Sequence, residues 1–197
     1  MKLPRPKTDG RLSLERSIRE RRTVRRFGPR PLTPEQLGQL LWAAQGVTGS
    51  LGMKRAAPSA GALYPLDVYV VAGGVKGLDA GVHLYRPQGH GLGAGAAGDL
   101  RQALARACLS QTWVAEAPVT LVITAEYGRI TGKYGRRGVQ YAVIESGHVG
   151  QNIFLQAVAL GLAAGIVGAF RDEDLARVLG LSGKRVPLLV MPVGYKR

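Results

Sequence analysis

Two short stretches of this sequence carry residue types that could hold a ligand. The first is Arg21-Arg22-Thr23-Val24-Arg25-Arg26-Phe27. Arg21, Arg22, Thr23 and Arg25 can converge guanidinium forks and a hydroxyl on one compact anion, and bidentate arginine suits phosphate. A solvated basic face is the alternative reading of the same residues. The second stretch is Pro58-Ser59-Ala60-Gly61-Ala62-Leu63-Tyr64-Pro65. Small residues held between two prolines let a flat ring approach the backbone closely, and Ser59 adds a hydrogen-bonding group. A phosphate clamp and a flat platform together are what a flavin mononucleotide requires.

Other chemistry-bearing patterns are weaker. Gly93-Ala94-Gly95-Ala96-Ala97-Gly98 is a literal G-x-G-x-x-G. A dinucleotide-binding turn must leave its strand directly, whereas the preceding strand pattern ends near Arg86. Asp99 would also place a carboxylate where the pyrophosphate should sit. The segment therefore reads as a glycine-rich connection. Glu145, His148 and Asn152 form a polar stripe at i, i+3, i+7 on an otherwise apolar helix. The second Glu-x-x-His of a di-iron bundle is missing, so no metal site is expected. The stripe is expected to bond to a partner subunit or a ligand, because buried polar groups need partners. Cys108 lies on the apolar side of its helix without a cationic neighbour and reads as a small core residue. No serine–histidine–aspartate arrangement stands out.

The elements that must position these residues are largely legible. Ser13 caps a short helix with Leu14 and Ile18 on its apolar side. Thr33 and Gln36 form a capping box, and Leu37, Leu40, Leu41 and Ala44 give the stripe of a helix ended by Gly46. Residues 46–65 have no period, and a stretch that long is usually functional or mobile. Leu66–Ala72 and Val82–Arg86 read as strands with Gly73-Gly74 as turn chemistry between them. A helix follows Asp99, striped by Leu100, Ala103, Leu104, Ala107 and Gln111. Val119–Ala125 reads as a central strand. Val139–Gly161 reads as a buried helix, apolar nearly all round. Gly165–Phe170 is a short strand or turn, Asp172–Asp174 open a helix closed by Gly180, and Pro187–Val193 is a last strand. Helices and strands mix without regular alternation, which argues for an α+β fold.

Composition bounds the rest. The 197 residues are 46% apolar and 20% charged, which is globular composition, and the single cysteine excludes a disulfide scaffold. No apolar run reaches the ~18 residues of a membrane span and no signal peptide is evident. The expectation is one soluble domain over 1–197, with 1–12 flexible, in the cytoplasm and without a membrane partner. The net charge is +14, and residues 1–30 hold 11 basic and 3 acidic groups. That excess suits polyanions in general. With aromatics at 6% and no zinc pattern or RNA-reader motif, nucleic acid is not expected as a partner.

At the two stretches that open this section the sequence resembles the flavin-dependent nitroreductase superfamily. The resemblance rests on RRTVRRF, LLWAAQGVTG, APSAGALYPLDVYVV, GHVGQNIFLQAVALGLAAGIVGAF and the terminal PVGY, in the family's order from Arg21 onward. The wording around PSAGALYP, GVHLYRPQGH and KYGRRGVQY is most similar to the branch of azoline-oxidising dehydrogenases, which form thiazoles and oxazoles. The resemblance implies an antiparallel sheet between helices and an intertwined homodimer with two FMN sites at its interface. It implies that Arg21, Arg22, Thr23 and Arg25 hold the phosphate and ribityl chain. Pro58, Ser59, Ala60 and Leu63 would line the ring from the other subunit. Gly168 and Ala169 would bring backbone to the flavin N5 edge, with Gly168 standing where bacterial nitroreductases carry an acidic residue. Larger members continue past the last strand and supply a basic residue to the phosphate; here Lys196 and Arg197 follow Tyr195, and Arg197 is the candidate for that contact.

The implied activity is hydride transfer from NAD(P)H through FMN to a small acceptor, such as a nitroaromatic or quinone. That reduction needs no side-chain acid or base. Azoline oxidation would need a base, and Lys133 and Tyr134 lie where that branch has such a motif. A flavin-binding protein without its own redox turnover is the rival from another class.

Overall fold

The computed structural model describes residues 1–49 and 52–197; Ser50 and Leu51, inside the stretch read as aperiodic, lie outside them. The order is α1 (Leu14–Glu20), α2 (Pro34–Gln45), β1 (Leu66–Ala72), β2 (Gly81–Arg86), β3 (Gly91–Ala97), α3 (Arg101–Ala107), α4 (Trp113–Glu116), β4 (Val119–Ala125), α5 (Gly128–Tyr134), α6 (Arg137–Ala159), β5 (Ala163–Ala164), α7 (Asp172–Leu179) and β6 (Val186–Gly194). Single 3-10 turns lie at Ala60–Ala62 and Pro87–Gly89. The strands form one antiparallel sheet in the order β3-β2-β1-β4-β6-β5. The α+β expectation holds.

Alternation along the central strands divides the core between the two faces of the sheet. Val68 and Val70 of β1 and Leu121 and Ile123 of β4 pack with Leu37, Leu40 and Leu41 of α2 and Val149 and Ile153 of α6. On the other face Tyr69, Val71, Val122 and Val190 meet Leu104, Cys108, Leu175 and Leu179. Every residue of β4 is buried, as a strand covered on both sides must be.

Several local expectations change. The glycine-rich segment read as a connection is β3, paired with β2. Its residues have poor strand propensity, but the neighbouring backbones come so close that a Cβ on Gly95 would lie 2.7 Å from the Val82 carbonyl oxygen. Gly73 and Gly74 open the eight-residue connection of the β1–β2 hairpin, as expected, and both N–H groups donate to the Pro118 carbonyl, at 3.0 and 2.8 Å. The helix after Asp99 breaks after Ala107, with Leu109 and Ser110 left-handed at φ 56° and 58°, and resumes as α4.

Two apolar faces read as core are open. Leu14 and Ile18 of α1 are 60% and 54% exposed. On α6, Ala142, Val149 and Ile153 are buried while Val143 and Ile144 are about half exposed. That helix is buried along one stripe, not all round. Residues 1–12, expected to be flexible, include a stretch that pairs with β3. The N-terminal ammonium donates to the Leu92 carbonyl at 2.8 Å, the Leu3 N–H donates to the His90 carbonyl at 2.9 Å, and the Leu3 side chain is buried.

Candidate functional site

The arginine cluster begins where α1 ends, with Arg21 as its C-cap. The chain then runs beside β5: Thr23 forms a parallel bridge with Ala164, and the Val24 N–H donates to the Ala164 carbonyl at 2.9 Å. The guanidinium of Arg21 lies 5.1 Å from the Phe154 ring centre and that of Arg25 lies 5.9 Å from Trp113. Arg22 donates to the carbonyls of Arg19 and Arg21. Among the described residues none of Arg21, Arg22 and Arg25 has a carboxylate partner, although the three lie within five residues of chain. A compact anion would answer that imbalance.

The C-terminus comes to the same place. Lys196 bridges Phe27, and the Arg197 N–H donates to the Arg26 carbonyl at 3.4 Å. Gly165 packs so tightly between Trp113 and the Val24 carbonyl that a Cβ there would fall 2.5 Å from the indole. Gly168 and Ala169 follow on an exposed loop. Gln111 Nε2 donates to the Ala169 carbonyl at 3.4 Å, and a Cβ on Gly168 would meet nothing within 4 Å, so that backbone is open to a ligand.

The Pro58–Leu63 platform is a strained turn. Gly61, Ala62 and Tyr64 all have positive φ, at 61°, 53° and 47°. Such backbone costs on the order of 1–3 kcal/mol per non-glycine residue and persists where surrounding contacts impose it. The contacts are visible: the Ser59 hydroxyl oxygen accepts from the Tyr64 N–H at 2.9 Å, and the Tyr64 hydroxyl donates to the Met53 carbonyl and accepts from the Arg55 N–H. A cavity of about 300 Å³ opens over Pro58, Ser59 and Ala60 toward Tyr141, Ile144, Glu145 and His148 of α6. Lys133 and Tyr134 stand on the platform's other edge, where a Cβ on Gly61 would fall 2.7 Å from the tyrosine hydroxyl and 3.2 Å from Nζ. Glycine is required there by both conformation and space.

The polar stripe on α6 divides its work. Asn152 donates to the Ala43 carbonyl of α2 at 3.0 Å. His148 is exposed at the platform cavity. Glu145 is 2% exposed; Gln45 Nε2 donates to its Oε1 at 3.1 Å, and Oε2 is buried without a hydrogen-bond partner. Burial raises its carboxyl above the ordinary range, against the opposing pull of Ser59, Gln45 and the Arg55 charge. Gln45 and Arg55 carry no sequence signal of their own. They are found only because α2 and the loop before β1 end beside α6. Cys108 is buried and its thiol is pushed up to about 12, which suits a core residue and not a nucleophile.

The arginine cluster and the platform thus lie apart within one chain. Both ride on α6 but at different levels: about 13 Å of helix axis separates Glu145, under the platform, from Phe154, under Arg21. The partnerless arginines fit a phosphate, and the small-residue turn with an orphaned buried carboxylate oxygen behind it fits a flat polar ring. No group of three metal-binding side chains occurs among the described residues, and no helix there is long and apolar enough to cross a membrane.

The fold is an α+β domain with helices on both faces of one antiparallel sheet. Residues 18–195 match the nitroreductase family, and the chain belongs to that family. A Methanocaldococcus jannaschii protein named as a nitroreductase is 43% identical over 185 residues, covering 94% of this chain and 92% of that one. A Ralstonia eutropha crystal structure described as a nitroreductase is 32% identical with a TM-score of 0.86, covering 99% of this chain and 88% of that one. Two more distant structures share the fold. A chain of the Escherichia coli microcin synthetase McbBCD complex has 24% identity and a TM-score of 0.78, over 97% of this chain and 75% of that one. The Vibrio harveyi NADPH:FMN oxidoreductase has 21% identity and a TM-score of 0.68, over 93% of this chain and 68% of that one.

Proposed function

We propose that the protein is an FMN-dependent oxidoreductase that works as a homodimer in the cytoplasm. Each site would take its arginine cluster from one chain and its platform from the other. The observation that carries this reading is the separation of the two groups within one chain, together with the half-exposed Val143 and Ile144 beside the platform. Arg21, Arg22, Thr23, Arg25 and Arg197 would bind the phosphate and ribityl chain. Pro58, Ser59, Ala60 and Leu63 would line the ring, with Gly168 and Ala169 offering backbone at its reactive edge. Bound there, FMN supplies two-electron hydride chemistry between NAD(P)H and a small acceptor such as a nitroaromatic or a quinone. The chain's own part is to hold, orient and shield, and no side-chain acid or base is assigned. The Vibrio harveyi relative, named for NADPH and FMN, supports the cofactor pair.

The absorbance spectrum of the purified protein tests this, before and after anaerobic NADH or NADPH. Flavin bands that bleach are expected. A colourless protein that fails to take up FMN overturns the reading. Bands that persist with both nucleotides would favour a flavin-binding role or the second reading, azoline oxidation. That second reading draws on Lys133 and Tyr134 standing against Gly61. It predicts that Lys133→Ala abolishes oxidation of an azoline-bearing peptide while FMN stays bound; unchanged turnover sinks it.

A further inference from the structure

A separate cavity of about 570 Å³ lies between the end of α2, the start of β1 and the end of β2. That is within the range of roughly 300–1,000 Å³ typical of small-molecule sites. We propose that it binds the phosphate or carboxylate group of a small anionic ligand, independently of the arginine cluster at Arg21–Arg25.

Cations outnumber acids in its lining. Arg55, Arg86 and Arg129 line the cavity against one acid, Asp67. Asp67 is already shared: Arg129 holds its two oxygens at 2.8 and 3.0 Å, and Arg185 Nε reaches Oδ2 at 2.8 Å. Arg55 and Arg86 therefore face the space with no carboxylate partner among the described residues. Arg55 is the informative one. Its guanidinium lies 4.3 Å from the Tyr64 ring centre, and NH1 donates to Gln45 Oε1 at 3.2 Å. Its Nε is buried with no hydrogen-bond partner. Arg55 lines the cavity while only partly buried, so a guanidinium without a carboxylate partner borders the space.

Arg86 is placed by the glycine strand. A Cβ on Gly93 of β3 would fall 2.8 Å from Arg86 Nε, so the missing side chain is what lets this guanidinium lie along the sheet at the cavity mouth. The glycines that fail as a nucleotide fingerprint thus acquire a role. Two guanidinium forks, one inside and one at the mouth, match the paired oxygens of a phosphate or carboxylate rather than a cation or an apolar ligand. The cavity also touches the platform through its wall: Gln45 accepts from Arg55 and donates to Glu145.

The test is calorimetric titration of the FMN-saturated protein with inorganic phosphate and, separately, with malonate, at ionic strength held constant with chloride. Saturable binding of at least one anion at one site per chain is expected. Arg86→Ala, at an exposed position that does not threaten folding, should weaken it at least tenfold, and Arg55→Met should do the same. Arg177→Ala, at an exposed position on α7 away from the cavity, should leave it unchanged. Phosphate alone or malonate alone binding would say which oxyanion the site prefers. Absence of saturable binding of either, binding that survives both cavity substitutions, or binding lost in Arg177→Ala overturns the proposal.

Discussion

Asp67 shows how one side chain can tie remote parts of the chain together. Its carboxylate, on β1, is held by Arg129 from α5 and Arg185 from the turn before β6, while Glu126 pairs with the same two arginines at 2.9 and 3.7 Å. Burial by itself would raise the Asp67 carboxyl, but the hydrogen bonds and charges of Arg129 and Arg185 outweigh it and hold the group below its ordinary 3.8. A carboxyl lowered in the folded state adds stability above its unfolded value and loses it as pH falls through the folded one. Asp67→Asn should therefore cost about 2 kcal/mol at neutral pH by urea denaturation, since it leaves Glu126 alone to pair with two guanidiniums. The difference between variant and wild type should shrink below pH 3.8. A cost that stays constant down to pH 2 would show that the charge is not responsible.

Among the elements, α2 was legible to the residue. Thr33 Oγ1 accepts from the Gln36 N–H at 3.3 Å and Gln36 Oε1 accepts from the Thr33 N–H at 3.0 Å, so the capping box is reciprocal. Thr33→Ala should lower stability by about 1 kcal/mol, seen as a shifted denaturation midpoint with unchanged slope. The central strands were legible for the same reason, their apolar runs being unbroken; α6 was legible as a helix but not in its burial, since Val143 and Ile144 lie open. β3 was not, because a strand of Gly and Ala is made by close backbone pairing and has no side-chain pattern to announce it. The break at Leu109 and Ser110 was hidden too, since no glycine or proline marks it and Cys108, Leu109 and Val114 carry apolar character across it. In the candidate site, the arginine cluster and the platform could be read from residue type. The Gln45–Glu145 contact could not, because it joins residues 100 positions apart whose pairing only the packing of α2 on α6 decides.

At the scale of the whole molecule, the arginine cluster and the platform lie apart on one chain that also exposes apolar side chains on α1 and α6. Leu14, Ile18, Val143 and Ile144 are each at least half exposed, an arrangement that a second copy would cover. The central claim is that FMN is held only where the arginine cluster of one chain meets the platform of another. Co-purified heterodimers test it directly, made from an Arg21→Ala/Arg25→Ala chain and a Ser59→Trp chain carrying different tags. Each variant alone should be flavin-free. The heterodimer joins the intact cluster of one chain to the intact platform of the other at one of its two sites, so the account predicts one FMN per dimer, bleached by NAD(P)H. A heterodimer without flavin would place the whole site within a single chain and contradict it.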